Sequence, residues 1–253
     1  MTTNSTPFAW PRSAQCAVSL TYDDALPVHR DEIAPQLAAK GLKGTFYLNA
    51  VPDFTAAPEK WRPVAELGHE LGNHTLFHPC RREPPERFGW LAPHYDLCDY
   101  TVQRWQDEVR VFNSLLSLVD GRTERTYAAP CGHTTVGREH QVSLDVALLK
   151  HFPAGRGRGT GRSVDPVTAN LAALDCFGGD GKTFAVLREA VEQAAAQGHW
   201  LIFICHGVGK GTHGSFIEPA EHTALADWLA DQAGRIWTAP LLDVATWAKR
   251  PVA

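Results

Sequence analysis

Three short stretches of this sequence gather residue types that can hydrolyse a bond. The first, Thr21-Tyr22-Asp23-Asp24, sets two adjacent carboxylates directly after the run Ala17-Val18-Ser19-Leu20. Neighbouring carboxylates repel unless a cation or a shared proton compensates them, so a metal ion is one solution. The other is that one Asp caps the following helix while its neighbour faces water. The second stretch, Gly72-Asn73-His74-Thr75-Leu76-Phe77-His78, spaces two imidazoles four residues apart. If it turns helically, both rings reach one point, which suits a first-row metal, although HxxxH alone is a weak pattern. Nearby His69 stands at the start of the presumed strand, away from its C-terminal end, and reads as a surface or hydrogen-bonded residue. The third is His206, which follows Trp200 to Cys205 and precedes Gly207-Val208-Gly209-Lys210-Gly211. Glycines there allow backbone to approach a ligand closely, and a histidine filling a strand rim is the alternative. Their spacing is not GxxxxGK[ST], which argues against a phosphate loop.

These side chains need a frame, and periodicity supplies one. Ala17 to Thr21 reads as a buried strand, Arg30 to Lys40 as a helix that Gly41 ends, and Gly44 to Leu48 as the next strand. Trp61 to Leu67 follows as a short helix and His69 to Gly72 as a short strand. Val102 to Leu118 is a long amphipathic helix whose Val102, Trp105, Val109, Phe112, Leu115 and Leu116 form a core-facing stripe. Further along come strand Thr126 to Ala129, helix Val142 to Lys150, a short strand within Phe152 to Gly157, helix Phe184 to Gln197, strand Trp200 to Cys205 and helix Glu221 to Asp231. Alternation of this kind implies an α/β fold with a mostly parallel sheet, closed or partly closed into a barrel, and a single domain over residues 1–253. Pro79 to Leu97, rich in proline and aromatics and without a period, reads as a long loop that can line the site.

Composition sets outer bounds. With 44% hydrophobic and 21% charged residues the chain is globular, and its formal net charge of -4 argues against nucleic acid as a partner. Local basic character is confined to Arg81-Arg82 and to the glycine-interleaved Arg156, Arg158 and Arg162. No run approaches the ~20 apolar residues of a membrane helix, and MTTNSTPFAWPRSAQC lacks the pattern of a secretory leader. Cys16, Cys80, Cys98, Cys131, Cys176 and Cys205, without CxxC spacing, read as reduced thiols. Together these lines make a cytoplasmic protein, without a membrane partner, the expectation.

In order and distance, TYDDA, HTLFH and LIFICH resemble the TFDDG, H[ST]xxH and LxLxH motifs of the polysaccharide deacetylases, the NodB-homology or carbohydrate esterase family 4 group. The resemblance spans roughly Cys16 to Trp247 and includes IWTAPLLDVATWA near its end. It implies a distorted (β/α) barrel of about seven strands. It also implies one divalent metal held by Asp24, His74 and His78, expected to be Zn2+ with Co2+ or Ni2+ as alternatives. Asp23 would be the catalytic base and His206 the general acid, with Thr75 hydrogen-bonding near the ligands. The implied substrate is an acetylated sugar or a related small molecule.

Departures from the family pattern carry expectations of their own. Where the family has RxP[YF], this chain has Ala128-Ala129-Pro130-Cys131, so the arginine that braces the catalytic Asp is missing there and Cys131 replaces the aromatic. The oxyanion contact at that position comes from a backbone N–H, which a changed side chain leaves in place. Cys131 reads as a partly buried, inert thiol lining the substrate side. Arg156 is the candidate for the missing charge, against the alternative that Arg156 and Arg158 are solvated on a mobile loop. The fourth motif lacks a clear counterpart, with Asp175 as a weak candidate. Two other readings accompany deacetylation: an intracellular hydrolase of small amides, of deformylase or cyclic amidohydrolase type, and a metal- or sugar-binding protein without turnover.

Overall fold

A computed structural model describes residues 8–157 and 159–250 of the chain; Arg158 lies outside them. Eight parallel strands make the main sheet. They are β1 Cys16–Tyr22, β2 Thr45–Leu48, β3 Glu70–Asn73, β4 Tyr127–Ala128, β5 Gly155–Arg156, β6 Phe177–Gly178, β7 Trp200–Cys205 and β8 Ile236–Thr238. Seven of them run in the order β5-β4-β3-β2-β1-β7-β6, and β8 pairs beside β1. All seven residues of β1 are buried, as are five of the six in β7, which is what strands covered on both faces require. The hydroxyls this buries find acceptors: Ser19 donates to the carbonyl of Ala239 at 3.0 Å and Thr21 to that of Phe203 at 2.5 Å.

The sheet curls into a half-barrel, and its two ends approach through one stretch of chain. Gly155 on β5 and Gly157 just after it donate to the carbonyls of Leu171 and Leu174 at 2.7 and 2.9 Å, and that same stretch runs on into β6. This is the distorted (β/α) barrel of about seven strands that the motifs imply.

Helices cover the outside. They are α1 Ala34–Ala39, entered through a π turn at His29–Ile33, then α2 Val102–Asp120, α3 Phe184–Gln197, α4 Pro219–Asp231 and α5 Leu241–Ala248. In α2, Thr101 caps the start by accepting from the Arg104 amide at 3.1 Å, and Gly121 ends the helix with φ 71°. Its inner face is Trp105, Val109, Phe112, Leu116 and Val119, each side chain worth roughly 1.5–3 kcal/mol when fully buried. Leu115, expected in that stripe, is 39% exposed because it stands about 100° around the helix from Leu116.

Two further expectations are corrected. Val142 to Lys150 is not one helix: Val142–Ser143 pairs antiparallel with Thr135–Val136, and the helix covers Asp145–Leu148. The Ser143 hydroxyl accepts from the Asp145 amide at 3.2 Å, giving the backbone a local alternative to an earlier helical start. The cysteines are not all reduced: Cys80 and Cys131 form a disulfide, while Cys16, Cys98, Cys176 and Cys205 are buried thiols. Among the described residues no helix is long and apolar enough to cross a membrane.

Candidate active site

Residues in a strand point alternately to opposite faces, so Asp23 and Asp24 would diverge if β1 continued through them. The chain instead turns left-handed at Asp24 (φ 78°) and Ala25 (φ 53°). Both carboxylates then reach one imidazole: His74 Nε2 lies 3.8 Å from Asp23 Oδ2 and 3.6 Å from Asp24 Oδ1. Seven described non-glycine residues have positive φ, and five of them, Asp24, Ala25, Thr75, His78 and Cys131, lie in the three turns that carry the site, so strain is concentrated where the site is shaped.

The two histidines meet without a helix. After β3 the Asn73 side chain accepts from the Thr75 amide at 2.7 Å, and Thr75 takes φ 64°. The Thr75 hydroxyl donates to the His74 carbonyl at 2.5 Å and accepts from the His78 amide at 3.0 Å. Thr75 is fully buried and spends its hydroxyl inside this turn, away from any substrate surface. Gly72 is needed just before it, because a Cβ there would run into the Tyr47 ring. His69 is buried beneath, accepting from the Gly44 amide at 3.0 Å and donating to the Ala34 carbonyl at 2.9 Å, so it is a hydrogen-bonded core residue.

His78 Nε2 lies 3.2 Å from Asp24 Oδ1, and ligand atoms of Asp24, His74 and His78 lie within 4.8 Å of one another. Ligands about 2.0–2.1 Å from a tetrahedral ion stand about 3.3–3.4 Å apart, so the 3.2 and 3.6 Å from Asp24 to the two imidazoles suit one small divalent ion. His74 donates its Nδ1–H to the Ala128 carbonyl at 2.8 Å, which leaves Nε2 with a free lone pair. Burial, opposed by Asp23, pushes the His74 pKa down to about 4, keeping the ring neutral. Asn49, buried beside Asp24, has no hydrogen-bond partner on its Oδ1 among the described residues. One carboxylate and two imidazole nitrogens converging at this spacing are a donor set that fits a divalent cation.

On one side of this cluster Asp23 pairs with Arg156 of β5, both almost wholly buried. Burial raises the Asp23 pKa, but Arg156, then His74 and His206, outweigh it and hold the carboxyl below its ordinary value. The Arg156 guanidinium also stands 5.1 Å from the Tyr47 ring centre. Arg156 is therefore neither solvated nor on a mobile loop.

On the other side His206 Nδ1 lies 2.6 Å from Asp180 Oδ2, and its amide donates to Asp180 Oδ1 at 3.0 Å. Burial lowers the His206 pKa, yet the Asp180 hydrogen bond and the Asp23 charge outweigh it and raise it to about 9. Asp175, the weak candidate for a fourth motif, instead binds Thr160 through its carboxylate. Asp180 escaped sequence reasoning, although an acid between Gly179 and Gly181, just beyond a strand and ahead of a helix, was a usable signal. A second omission is His213, whose ring stacks on His206 at 5.0 Å and 11°, with Nε2 3.7 Å from Asp24 Oδ2. Its loop returns over Gly207, where a Cβ would collide with Thr212.

The turn Pro130–Gly132 completes the rim. Cys131 has φ 54° and is exposed, and its sulfur is bonded to Cys80, so the inert-thiol expectation is corrected. The Cys80 sulfur lies 3.7 Å from His78 Nδ1. His78, Cys80 and Cys131 also cluster within metal-ligand range, but both sulfurs are committed to each other.

A parallel half-barrel with acid, imidazole and carboxylate groups converging at its strand C-termini belongs to the class of barrel hydrolases in architecture. The chain belongs to the polysaccharide deacetylase family, whose sequence model matches residues 12–143, more than half its length. It is similar to a gellan lyase from Bacillus sp, 27% identical over 148 residues, which are 58% of this chain and 5% of that protein. The chain thus spans about one-twentieth of that relative. A structure from Mycobacterium smegmatis, described as a polysaccharide deacetylase, superposes with TM-score 0.61 at 15% identity, covering 98% of this chain and 99% of that one. Bacillus subtilis PdaA, a family 4 carbohydrate esterase, superposes with TM-score 0.52 at 16% identity over 92% and 82% of the two chains. At these identities the structures speak for the fold.

Proposed function

We propose that the chain removes an acetyl or similar acyl group from an acetylated carbohydrate, using one divalent metal held by Asp24, His74 and His78. The observation that carries this is the placement of a braced base and a braced acid on opposite sides of one metal-sized ligand cluster. A cation there, zinc with cobalt or nickel as alternatives, supplies Lewis acidity at the acyl oxygen and acidifies the attacking water.

The chain's own groups do the rest. Asp23, kept ionised by Arg156, takes the proton from the water. The left-handed turn at Cys131 offers its backbone N–H to the developing oxyanion. His206 is held as imidazolium near neutral pH, with Nδ1–H on Asp180, so its Nε2 proton is the one available to the leaving nitrogen or oxygen. Proton removal and proton delivery thus sit with separate groups whose pKa values are driven apart by their partners.

The test is metal analysis of the purified protein, followed by acetate release from a panel of N- and O-acetylated sugars with and without chelator. The expected result is about one equivalent of metal and release that chelation stops and added zinc restores. Activity indifferent to chelation, or a metal-loaded protein releasing no acetate from any of them, overturns the reading.

A further inference from the structure

Trp90 stands open beside the site. It is 63% exposed, whereas Trp61, Trp105 and Trp200 are wholly buried, and its ring centre lies 6.0 Å from that of His78 at 44°. Next to His78, Phe77 is 43% exposed and stacks on Tyr95 at 5.0 Å and 20°. Of these rings it is Trp90 that stands open against a proposed metal-ligand histidine. A large indole left in water needs a reason when it borders a cleft, because its apolar face gains by being covered.

The ground beneath Trp90 is firm. Cys80, Phe88 and Leu91 form a buried cluster of their own with Tyr95 against it. The disulfide ties Cys80 to the Pro130–Gly132 turn, and buried Arg81 donates to the Gly137 carbonyl at 2.9 Å. The Asp96 carboxylate accepts from the Arg82 and Cys98 amides at 3.1 and 2.9 Å, closing the far end of the segment. A ring presented from so anchored a base loses little freedom when something stacks on it.

We propose that Trp90 is a stacking platform for the pyranose ring that bears, or adjoins, the acyl group. The inference rests on the carbohydrate hydrolase reading above. An acyl group on a ring substituent leaves the sugar only a few bonds from the metal ligands, and the apolar C–H face of a pyranose matches an indole face. Tyr100, another aromatic of this region, is not available for stacking, because it is buried with its hydroxyl on Glu108.

Calorimetric titration with tri-N-acetylchitotriose and with acetylated xylotriose, on the native protein, Trp90→Ala and Trp90→Phe, tests the platform without requiring turnover. Trp90→Ala is expected to weaken binding of the better ligand about tenfold, and Trp90→Phe to recover most of it. Metal content measured on the same samples separates a lost platform from a lost site. Equal affinity in native and Trp90→Ala, no binding of either saccharide to the native protein, or metal loss in Trp90→Ala accounting for the effect would each overturn the proposal. Acetate release is scored separately. Release with Trp90-independent binding leaves the hydrolase reading standing and removes the platform; Trp90-dependent binding without release does the reverse.

Discussion

Asp23 and His206 face one cleft, each held by a partner from an end strand or just beyond it, yet the two pairs differ in kind. In the Asp23–Arg156 pair the side chains are 3% and 1% exposed, while in the His206–Asp180 pair they are 25% and 20% exposed. A charge buried that deeply cannot turn to water when its partner is removed, so the first pair joins folding to chemistry. The second can be solvated, so its partner sets proton affinity and ring orientation at modest cost to the fold.

The sharpest blow to this contrast falls on Asp23, the proposed base. Asp23→Asn keeps the shape but cannot accept a proton, and kcat should fall by about 10²–10⁴ in steady-state assays of acetate release. Arg156→Leu should cost about 3–5 kcal/mol in denaturant titration, because an unpaired Asp23 stays buried. Burial then pushes the Asp23 carboxyl up, so the acid limb of kcat/KM moves to higher pH. In the native protein the base form is present above a lowered pKa and is lost only as pH falls through it.

Asp180→Asn should change stability by about 1 kcal/mol or less and act on the other limb. His206 carries its proton below about 9 and loses it as pH rises through that value. Without Asp180 the alkaline limb should retreat toward the ordinary histidine value of about 6.5, visible as a roughly tenfold or greater loss of kcat/KM at pH 8. If Asp180→Asn destabilised the fold as much as Arg156→Leu, the contrast would collapse. The smallest effect is expected from Cys131→Ser, a few-fold loss of kcat at most, since the backbone N–H survives. Thiol titration of the denatured protein should count four free cysteines in the native chain, Cys16, Cys98, Cys176 and Cys205, and five in the variant.

Contiguity decided what could be read from sequence. Asp23, Asp24, His74, His78 and His206 lie in short motifs at the ends of buried strands, and β7 spans the expected Trp200–Cys205. Arg156 could be sought because the family pattern leaves a bracing arginine missing at Ala128 and the next short strand offered one. Asp180 was harder to find, because β6 is two residues long and has no period to mark its end, so its flanking glycines stood as a signal without a strand to place it. The Cys80–Cys131 bond joins positions 51 apart that meet only once the Pro79 to Leu97 segment folds over the rim, and nothing local announces it. That bond also withdraws the cysteine argument for a cytoplasmic location. The HTLFH pair was legible as a pair but not as a shape, since the Asn73 and Thr75 side chains make a tight turn there in place of a helical one.

Strand β1 shares its edges in a way that bears on the order of assembly. One edge is taken from Ala17 to Tyr22 by β7, and the other is divided between β8 at Cys16 to Val18 and β2 at Thr21 and Tyr22. Most of its neighbours are therefore synthesised some 180–220 residues after it. Contacts so distant in sequence make for slow folding. On a ribosome, the strand that leads into Asp23 and Asp24 can pair early only with β2, at Thr21 and Tyr22, and waits for β7 and β8 to be made before the rest of its edges are taken; a metal offered earlier would meet His74 and His78 without a firmly fixed carboxylate beside them. Once complete, β1 is clasped along both edges, and its amides should be among the last to exchange with deuterium.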